Sequence, residues 1–501
     1  MNWSKYQEGV FDFASNGTGH GTVSAVAGSG KTTTGVQMVQ RLNPMDQVLF
    51  TSFTNVIVKT TAEKLKEAKI RNVRAQGYNS FGYSLVTKNM RPVPKLLTDP
   101  ITQKTDIILT YDVLRNEESN RQTYFAVKQS VFRVVDILKS LCIVSVDDAN
   151  NQLDDIFDYY DIDIPKDPRF RDILLEVYGR CLKRTDIMDF NDQKLFPILF
   201  NWQVPQYDVV VIDEYQDTCP VESELMTRAS KYGRIIVFGD PYQAIYSFKG
   251  TKPNSMQEFT TKYNASELPL SICYRCPRSV VEEAKTIVPH IEWAPDAIDG
   301  AVDTVKKAAF LARCTNRDMV LSRCTQDLVK SALDFIRQGR AAYVEGREYG
   351  NQLKWFIDKL LGRDNDYLAA DTFMDRVHEH FNEIHPELLK YGREAAAIQL
   401  ESRVECVEAL IIGCRTVKDL KDKISSMFTD NGNGIRHMTI HKSKGLEGNK
   451  DGDVWILRPD KLPHPRAKKE HMREEERRLK YVAITRSRRG LFYVEPEKDE
   501  R

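Results

Sequence analysis

The sequence predicts an α/β protein with two parallel-sheet lobes. Two apolar runs lie at residues 209–212 and 234–238; the first is followed by Asp213 and Glu214, and the second by Gly239 and Asp240. Such runs, with no polar alternation, are typical of strands covered on both faces of a parallel sheet. A third apolar run leads through a glycine turn into a helical pattern near Lys31. Beyond residue 269 a second set of strand and helix patterns begins, including the strand pattern over residues 318–323.

Composition and charge describe a soluble globular chain. The 501 residues are too many for one ordinary domain, and 41% of them are hydrophobic and 29% charged. The 72 basic side chains balance the 71 acidic ones, so any nucleic-acid contact depends on local arrangement. No apolar run approaches the roughly 18 residues that span a bilayer. Since the N-terminus also lacks a signal-peptide pattern, we expect a cytoplasmic protein without membrane contact.

The nine cysteines are scattered along the chain. An odd number without a framework-like spacing fits reduced thiols better than disulfides. Cys273 and Cys276 form a lone CxxC pair, and no second pair completes a zinc site. We therefore interpret these two cysteines as packing residues.

A phosphate-binding loop is predicted near the N-terminus, after an amphipathic helix over residues 4–14. Residues 22–42 read TVSAVAGSGKTTTGVQMVQRL, which is an apolar strand, a glycine turn and a helix. Gly28 and Gly30 let backbone N–H groups face phosphates at the helix N-terminus. Lys31 is placed to reach the outer phosphates, and the Thr32 hydroxyl to ligate Mg²⁺. The flanking strand and helix make a chance GSGKT the weaker explanation.

Two acids follow the strand pattern at residues 209–212. Asp213 and Glu214 sit where open α/β sheets place ligands. One carboxylate there can hold Mg²⁺ while its neighbour orients and deprotonates a water. The alternative is a solvated loop with two acids, which the phosphate-binding loop upstream disfavours. Gln243, after the next strand pattern, is placed to contact a terminal phosphate and the attacking water.

The spacing of these motifs predicts insertions. Lys31 and Asp213 are separated by far more than the roughly 30 residues of one βαβ unit. The intervening residues alternate helical patterns with acidic turns, and the Asp-rich run at residues 147–164 is interpreted as a solvated face. The predicted segments are a first lobe at 1–91 and 201–268 with a helical insertion at 92–200, and a second lobe at 269–361 and 431–501 with a short helical insertion at 362–430.

Several side chains near predicted strand ends are candidates for polynucleotide contact. Phe53 and Asn55 lie at a strand-to-helix transition, and Asn79 lies in a second such stretch. Tyr246 and Phe248 alternate with period two, which would present both rings to one surface. Ordinary core packing is the alternative for the two rings.

The second lobe contributes its own candidates. Tyr274 and Arg275 precede a helix, His441 and Glu447 flank a basic turn, and Arg486 is predicted on a helix within the basic C-terminal stretch. A solvated helix is the alternative for that stretch.

The order of these motifs resembles the superfamily 1 helicases of the UvrD, Rep and PcrA group. The blocks that carry the resemblance span nearly the whole chain, namely AVAGSGKTTT, SFTN, DEYQDT, GDPYQAIYSFKG, CYRC, TIHKSKGLE and EEERRLKYVAITRS. The resemblance implies two RecA-like P-loop NTPase lobes. The compact size is similar to that of phage or mobile-element members, which implies bacterial or phage-infected host cytosol.

The resemblance also implies residue roles. Gln7 would read the adenine edge, Tyr274 would stack on the base, and Glu447 would bind the ribose. Catalysis would use Lys31, Glu214, Gln243, Arg275 and Arg486, and Mg²⁺ would be held by Thr32 and Asp213. The full nucleotide-binding set would be Gln7, Ala27, Gly28, Ser29, Gly30, Lys31, Thr32, Thr33, Tyr274, Arg275, Glu447 and Arg486. Single-stranded DNA would touch Phe53, Asn55, Asn79, Tyr246, Phe248 and His441.

Some positions depart from the family pattern. Thr33 stands where many relatives have an arginine over the adenine, Val56 replaces a lysine, and Phe248 and Lys249 replace a Trp-Arg pair. The second insertion is also much shorter than in the family, which implies a rudimentary subdomain.

The function expected from the resemblance is an ATP-dependent 3′–5′ DNA helicase or translocase in replication, recombination or repair. Its cofactors would be ATP and Mg²⁺, its substrates single-stranded DNA and single-strand/duplex junctions, and it would act as a monomer. The alternative, from another class, is a nucleotide-gated DNA-binding ATPase subunit of a larger assembly, with a replication, recombination or nuclease partner.

Overall fold

The fold is described from a computed structural model. The structure describes residues 3–52, 55–67, 70–98, 103–115, 121–362, 365–390, 394–465 and 467–496. The chain divides into two compact units, Met1–Ser271 and Ile272–Arg501, and each contains a six-stranded parallel sheet. The predicted α/β class with two parallel-sheet lobes is confirmed.

The sheet of the first unit has the strand order β3-β2-β6-β7-β1-β8. All five neighbouring pairs are parallel. The strands are β1 Gly21–Ala25, β2 Val48–Ser52, β3 Val73–Ala75, β6 Val209–Asp213, β7 Arg234–Gly239 and β8 Ser266–Leu270, and a separate two-stranded ladder pairs β4 Lys95–Leu96 with β5 Ile187–Met188. β2 runs to Ser52, which pairs with Asp213 at the end of β6.

Eleven helices surround this sheet in the described part of the first unit. They are α1 Lys5–Asn16, α2 Lys31–Val39, α3 Asn55–Glu67, α4 Tyr78–Asn89, α5 Lys104–Ile107, α6 Arg121–Ser140, α7 Val146–Tyr159, α8 Phe170–Lys183, α9 Phe190–Leu199, α10 Pro220–Ala229 and α11 Ser255–Tyr263. A π-helical stretch, Ile108–Val113, continues α5.

The apolar run in β6 is continuous because both faces of the sheet are covered. Val209 and Val211 belong to one core with residues of α1 and α2, whereas Val210 and Ile212 belong to a second core on the opposite face. Successive side chains in a strand point to opposite faces, so alternate valines serve different cores.

The helices inserted between β3 and β6 share their core with the sheet. Val131 and Leu138 of α6 and Leu174 of α8 lie in the same buried cluster as Val210 and Ile212. Helices α4 and α9 pack closely, because a Cβ on Gly82 would lie 2.1 Å from the Gln193 carbonyl oxygen. The insertion therefore forms one face of the first unit's core.

The sheet of the second unit has the order β11-β16-β15-β12-β14-β13, again with parallel neighbours. Its strands are β11 Ala301–Lys306, β12 Met319–Ser322, β13 Ala342–Val344, β14 Ile435–Thr439, β15 Val454–Leu457 and β16 Gly490–Glu495, and a two-residue ladder pairs β9 Ile272–Cys273 with β10 Glu292–Trp293. The helices are α12 Arg278–Lys285, α13 Lys307–Arg313, α14 Thr325–Arg337, α15 Arg347–Leu361, α16 Ala370–Lys390, α17 Glu394–Ile411, α18 Val417–Met427, α19 Ile440–Ser443 and α20 Glu470–Ile484.

The three helices α16, α17 and α18 occupy the region of the short insertion. Phe373, Val404 and Leu420, one from each helix, are buried in the same cluster as Val320 and Trp455 of the sheet. This region therefore adds a helical wall to the second core.

The helix α7 is amphipathic. The aspartates of α7 are exposed, and its apolar side is buried through Leu153 and Ile156. Among the described residues, no helix has the length and apolarity needed to cross a membrane.

A buried charge cluster ties three helices of the insertion together. The Asp192 carboxylate of α9 forms ion pairs with Lys104 of α5 and Lys139 of α6, and each Nζ lies 2.9 Å from a carboxylate oxygen. All three side chains are almost fully buried. Lys139 also pairs with Asp189. Removing one member of such a cluster leaves the remaining charges buried without compensation.

Asp192→Asn is therefore expected to lower the free energy of unfolding by about 3–5 kcal/mol. Urea denaturation followed by circular dichroism measures the change. The matched control is Glu176→Gln, which breaks the exposed Glu176–Arg180 pair and is expected to cost about 0.5 kcal/mol or less. Equal effects of the two substitutions would contradict the role assigned to the buried cluster.

Candidate active site

The turn between β1 and α2 has the backbone geometry of an anion-binding loop. Gly28 and Gly30 have φ values of +68° and +78°, in the left-handed region that favours glycine. Gly30 is the residue before α2, and no side-chain bond caps this helix end within the described residues. The first N–H groups of α2 are thus available to a phosphate at the positive end of the helix.

The predicted phosphate lysine and the predicted catalytic base meet at this loop. Lys31 Nζ lies 2.9 Å from Glu214 Oε2, and both side chains are mostly buried. Burial alone would lower the pKa of Lys31, but the carboxylates of Glu214, Asp213 and Asp240 outweigh it and raise the pKa. Lys31 is therefore a fixed positive charge amid three acids.

Glu214 occupies a strained backbone position. Its φ of +55° lies in the left-handed region, which is unusual for a residue with a side chain. The residue links the end of β6 to a 3₁₀ turn, Tyr215–Asp217. Strain of this kind is concentrated at functional sites, because the surrounding structure must hold it in place.

The Asp213 carboxyl is buried beside Glu214, and only one of its two oxygens has a hydrogen-bond partner among the described residues. Its Oδ1 accepts the Glu214 N–H at 2.9 Å, while Oδ2 has no hydrogen-bond partner among the described residues. Burial first, and the charge of Glu214 second, raise the pKa of Asp213 to about 7. A buried carboxyl with an unused oxygen is poised to gain a cation.

Other unused oxygens lie in the elements around Asp213. The Ser29 hydroxyl in the loop and the Ser52 hydroxyl, whose residue pairs with Asp213 across the sheet, are buried and have no described partner. The Thr32 hydroxyl belongs to a half-buried residue in the first turn of α2. Because Mg²⁺ takes oxygen ligands, these donors fit a magnesium ion held beside a phosphate.

Gln243 is brought to the same sheet edge through Asp240. Asp240 follows β7, and its Oδ2 accepts a 2.7 Å hydrogen bond from Gln243 Nε2. Burial raises the pKa of Asp240 to about 6. The side chains of Lys31, Asp213, Glu214 and Gln243 thus gather where the sequence predicts a site.

Gln216 is a functional candidate that sequence reasoning missed. Its Nε2 donates to Glu214 Oε2 at 2.5 Å, and its Oε1 accepts the Asp240 N–H at 3.0 Å. The side chain is fully buried. A Cβ on Gly239 would lie 2.4 Å from Gln216 Oε1, so this glycine leaves room for the link between the two strand ends.

Gln7 is fixed against the helix that follows the phosphate loop. Ser4 caps α1 in a reciprocal capping box with Gln7, so the helix begins at Lys5 and runs to Asn16. Gln7 Nε2 donates to Thr34 Oγ1 at 3.1 Å. Ala27 and Ser29 are also buried, whereas Thr33 is exposed on α2.

The candidates in the second unit form their own cluster. Arg275 Nε and Nη2 donate to Glu447 Oε1 at 3.1 and 2.7 Å, and Arg488 pairs with the other Glu447 oxygen at 3.0 Å. Although burial favours its neutral form, these arginines hold the pKa of Glu447 below its usual value. Tyr274 is 47% exposed beside this cluster.

Arg486 is buried, and its position corrects one prediction. The helix α20 ends at Ile484, so Arg486 follows the helix and does not lie on it. Its guanidinium donates to the carbonyl oxygens of Leu446 at 2.7 Å and Val482 at 2.9 Å. Burial, with Arg275 nearby, lowers the pKa of Arg486 to about 10.

The candidate DNA contacts are only partly described. Phe53 lies outside the described residues, as do the side chains of Asn55 and Phe248. Asn79 is exposed at the start of α4. The predicted period-two alternation is wrong for residues 246–248, because Ser247–Lys249 form a 3₁₀ turn.

Tyr246 has a lysine over its ring, and His441 is largely buried. Lys249 Nζ lies 4.6 Å from the centre of the Tyr246 ring. His441 is the second residue of α19. Burial, and to a smaller extent Arg323 and Lys444, lower the pKa of His441 to about 3, so this imidazole is neutral at physiological pH.

These features have the geometry expected of a P-loop nucleotide site at the carboxyl edge of a parallel sheet. The family model of the UvrD/REP helicase N-terminal domain matches residues 11–264, which is half of the 501 residues. The chain belongs to the UvrD/Rep helicase family, and the predicted family resemblance is confirmed.

Relatives with known names are distant and longer. F-box DNA helicase protein 1 of Schizosaccharomyces pombe is 24% identical over 59% of this chain and 34% of its own length. ATP-dependent DNA helicase PcrA of Staphylococcus epidermidis is 23% identical over 63% of this chain and 60% of its own length. Among solved structures, an arterivirus nonstructural protein 10 helicase aligns with 99% of this chain and 62% of its own, at 13% identity and a TM-score of 0.36. The chain thus spans roughly a third to three fifths of the curated relatives it matches.

Asp213→Asn is expected to stabilise the protein at neutral pH. The carboxyl titrates near 3.8 when unfolded and near 7 when folded, so the folded state binds more protons in between. The free energy of unfolding therefore falls as pH rises from about 4 to about 7. In urea denaturation we expect the variant to exceed wild type by more than about 1 kcal/mol at pH 8 and to match it below pH 4. The exposed Asp155→Asn is the control, and a variant no more stable than wild type at pH 8 would refute the argument.

For the ATP hydrolysis proposed below, Gln216→Leu is expected to lower kcat about 100-fold with little change in KM, because the substitution frees Glu214 and Asp240 from their common anchor. Steady-state hydrolysis measures both constants. Gln257→Leu, at an exposed position of α11, is the control. A parallel rise in KM, or an unchanged kcat, would show that Gln216 does not position Glu214 for catalysis.

Proposed function

We propose that this protein is an ATP-dependent DNA helicase or translocase that moves 3′ to 5′ along single-stranded DNA and unwinds duplex DNA, in replication, recombination or repair. The observation that carries the proposal is the buried group of Lys31, Asp213 and Glu214 at the strand ends of a UvrD/Rep family chain. The names of the relatives, which include ATP-dependent DNA helicase PcrA, support it.

The chemistry proposed at this site is phosphoryl transfer from ATP to water. Lys31 binds the outer phosphates, and Thr32 with Asp213 would hold Mg²⁺, which neutralises charge that develops on the phosphate oxygens. Glu214 pairs with Lys31 in the structure. A phosphate that engages Lys31 competes for this pairing and frees Glu214 to orient and deprotonate a water.

Two groups of residues complete the proposal. Gln243 senses the terminal phosphate beside Asp240, and Gln7 reads the adenine edge. The roles inferred for Tyr274, Arg275, Glu447 and Arg486 in nucleotide binding rest on the family pattern. Phe53, Asn55, Asn79, Tyr246, Phe248 and His441 are proposed to contact single-stranded DNA.

Strand displacement on defined substrates tests the proposed function. Pure protein with ATP and Mg²⁺ is given duplexes that carry a 3′ tail, a 5′ tail or no tail. Displacement of the 3′-tailed duplex alone supports the proposal, and displacement of the 5′-tailed duplex would overturn the direction. DNA-stimulated hydrolysis without displacement would favour a translocase or an ATPase subunit that needs a partner.

Lys31→Ala and Glu214→Gln are expected to abolish ATP turnover, by about 10³-fold or more, while single-stranded DNA binding persists. Lys31→Ala removes the phosphate contact, whereas Glu214→Gln keeps the shape but cannot accept a proton. Hydrolysis assays and fluorescence anisotropy with a labelled oligonucleotide measure the two properties. Lys88→Ala and Glu267→Gln, both at exposed positions of the first unit, are the controls. Retained DNA-stimulated hydrolysis in either active-site variant would refute the assignment.

A further inference from the structure

Two cysteines flank the exposed tyrosine and the paired arginine at the start of the second unit. Cys273 ends the short strand β9, and Cys276 lies three residues later, just before α12. Cys273 is fully buried and Cys276 is 3% exposed. Tyr274 and Arg275, the residues between them, are those for which nucleotide contacts are inferred.

The two cysteines are joined by a hydrogen bond from the backbone of one to the sulfur of the other. The Cys276 N–H donates to Cys273 Sγ at 3.4 Å. Cys276 Sγ also lies 3.7 Å from the Thr485 carbonyl oxygen. The same oxygen accepts a 3.2 Å hydrogen bond from Arg275 Nη1, so thiol and guanidinium share one acceptor.

We propose that Cys273 and Cys276 are an oxidation site, a dithiol that closes reversibly to an intramolecular disulfide and thereby displaces Arg275. With a peroxide as the oxidant, the Cys273 thiolate attacks one oxygen and becomes a sulfenic acid, and one water leaves after protonation. The Cys276 thiol then attacks that sulfur, the S–S bond forms, and a second water leaves. Two thiols and one hydrogen peroxide thus give one disulfide and two waters.

Cys273 has the properties of the attacking thiol. The hydrogen bond from the Cys276 thiol, together with backbone N–H groups, lowers the pKa of Cys273 to about 7. Burial instead raises the pKa of other buried cysteines, to about 11 for Cys181 and about 12 for Cys406. Because the thiolate is the nucleophile, oxidation is directed to Cys273.

The strand that carries Cys273 is part of a very short ladder. The ladder that contains Cys273 is two residues long and lies outside both six-stranded sheets. Such a short ladder at the start of a unit opens locally at low cost compared with a sheet interior. Tyr274, the neighbouring residue, is already half-exposed.

Closure of the disulfide changes the contacts of Arg275. A disulfide brings the sulfurs to about 2.05 Å, so the Cys276 sulfur loses its proton and its interaction with the Thr485 carbonyl. The two residues between the sulfurs must follow this contraction, and Arg275 is held there by Thr485 and Glu447. The expected loss of ATP turnover rests on the proposed function, but disulfide formation itself does not.

Thiol chemistry tests the site without reference to activity. Reduced protein is treated with hydrogen peroxide, denatured, alkylated and digested, and the peptide that carries both cysteines is analysed by mass. We expect this peptide to lose two hydrogen atoms and both alkylation sites, and to regain them with dithiothreitol. Phenylarsine oxide, which bridges neighbouring thiols, should bind the reduced protein once at this pair and fail to bind Cys276→Ser.

The effect on the enzyme is tested with matched variants. Peroxide is expected to lower ATP turnover of the wild type by roughly tenfold or more, reversibly, because an arginine inferred to contact phosphate is displaced. Cys276→Ser keeps a donor for the Thr485 carbonyl and cannot form the bond, so its turnover should resist peroxide. Cys273→Ala tests the same point through the other partner. Cys314→Ala, at another buried cysteine of this unit, should remain as sensitive as the wild type.

Each result decides a separate point. A peptide that stays reduced while other cysteines oxidise overturns the site. A disulfide that forms without any change in turnover overturns the displacement of Arg275. Protein that hydrolyses no ATP but still forms the disulfide contradicts the proposed function and leaves the oxidation site supported.

Discussion

The ion pair between Lys31 and Glu214 is the interaction on which the rest of the first unit depends. It joins the turn after β1 to the turn after β6, two strands that both neighbour β7. Asp213 and Asp240 add two further buried carboxyls, whose pKa values are raised to about 7 and about 6 by burial. This surplus of buried carboxyls around one ammonium costs stability. The left-handed backbone conformation of Glu214 lowers the stability of the folded state at the same site.

The arrangement is held by packing on both faces of a parallel sheet. One face is covered by the helices nearest the phosphate loop, and the other by the inserted helices. A Cβ on Gly250, in the loop that follows Gln243, would lie 2.8 Å from the Ser140 Cβ at the end of α6. The insertion is therefore in close contact with the segment that carries the candidate phosphate sensor and the candidate DNA-binding residues.

In the second unit, the candidate arginines are held by one shared carboxylate and by backbone carbonyl oxygens. Arg275 and Arg488 share the partly exposed Glu447 carboxylate, whereas Arg486 is buried among carbonyl oxygens. A guanidinium satisfied by backbone acceptors is rigidly placed, because its planar donors match several carbonyls at once. The dithiol of Cys273 and Cys276 lies against this cluster through the Thr485 carbonyl, which links cysteine chemistry to the position of Arg275.

The sequence by itself determined the α/β class, the phosphate loop, the acid pair and the family, because each depends on local patterns of apolar runs, glycines and charged residues. Only the tertiary structure decided which residues meet across the chain. Gln216 was missed because its importance lies in bonds to Glu214 and Asp240 from neighbouring strand ends, and no local pattern encodes that distance. The alternation at Tyr246 was misjudged because a short polar turn overrode period two, and Arg486 was misplaced because α20 ends two residues before it. The hydrogen bonds of Cys276 to Cys273 Sγ and to the Thr485 carbonyl likewise depend on how a four-residue segment folds against Thr485, and the spacing of two cysteines does not specify this.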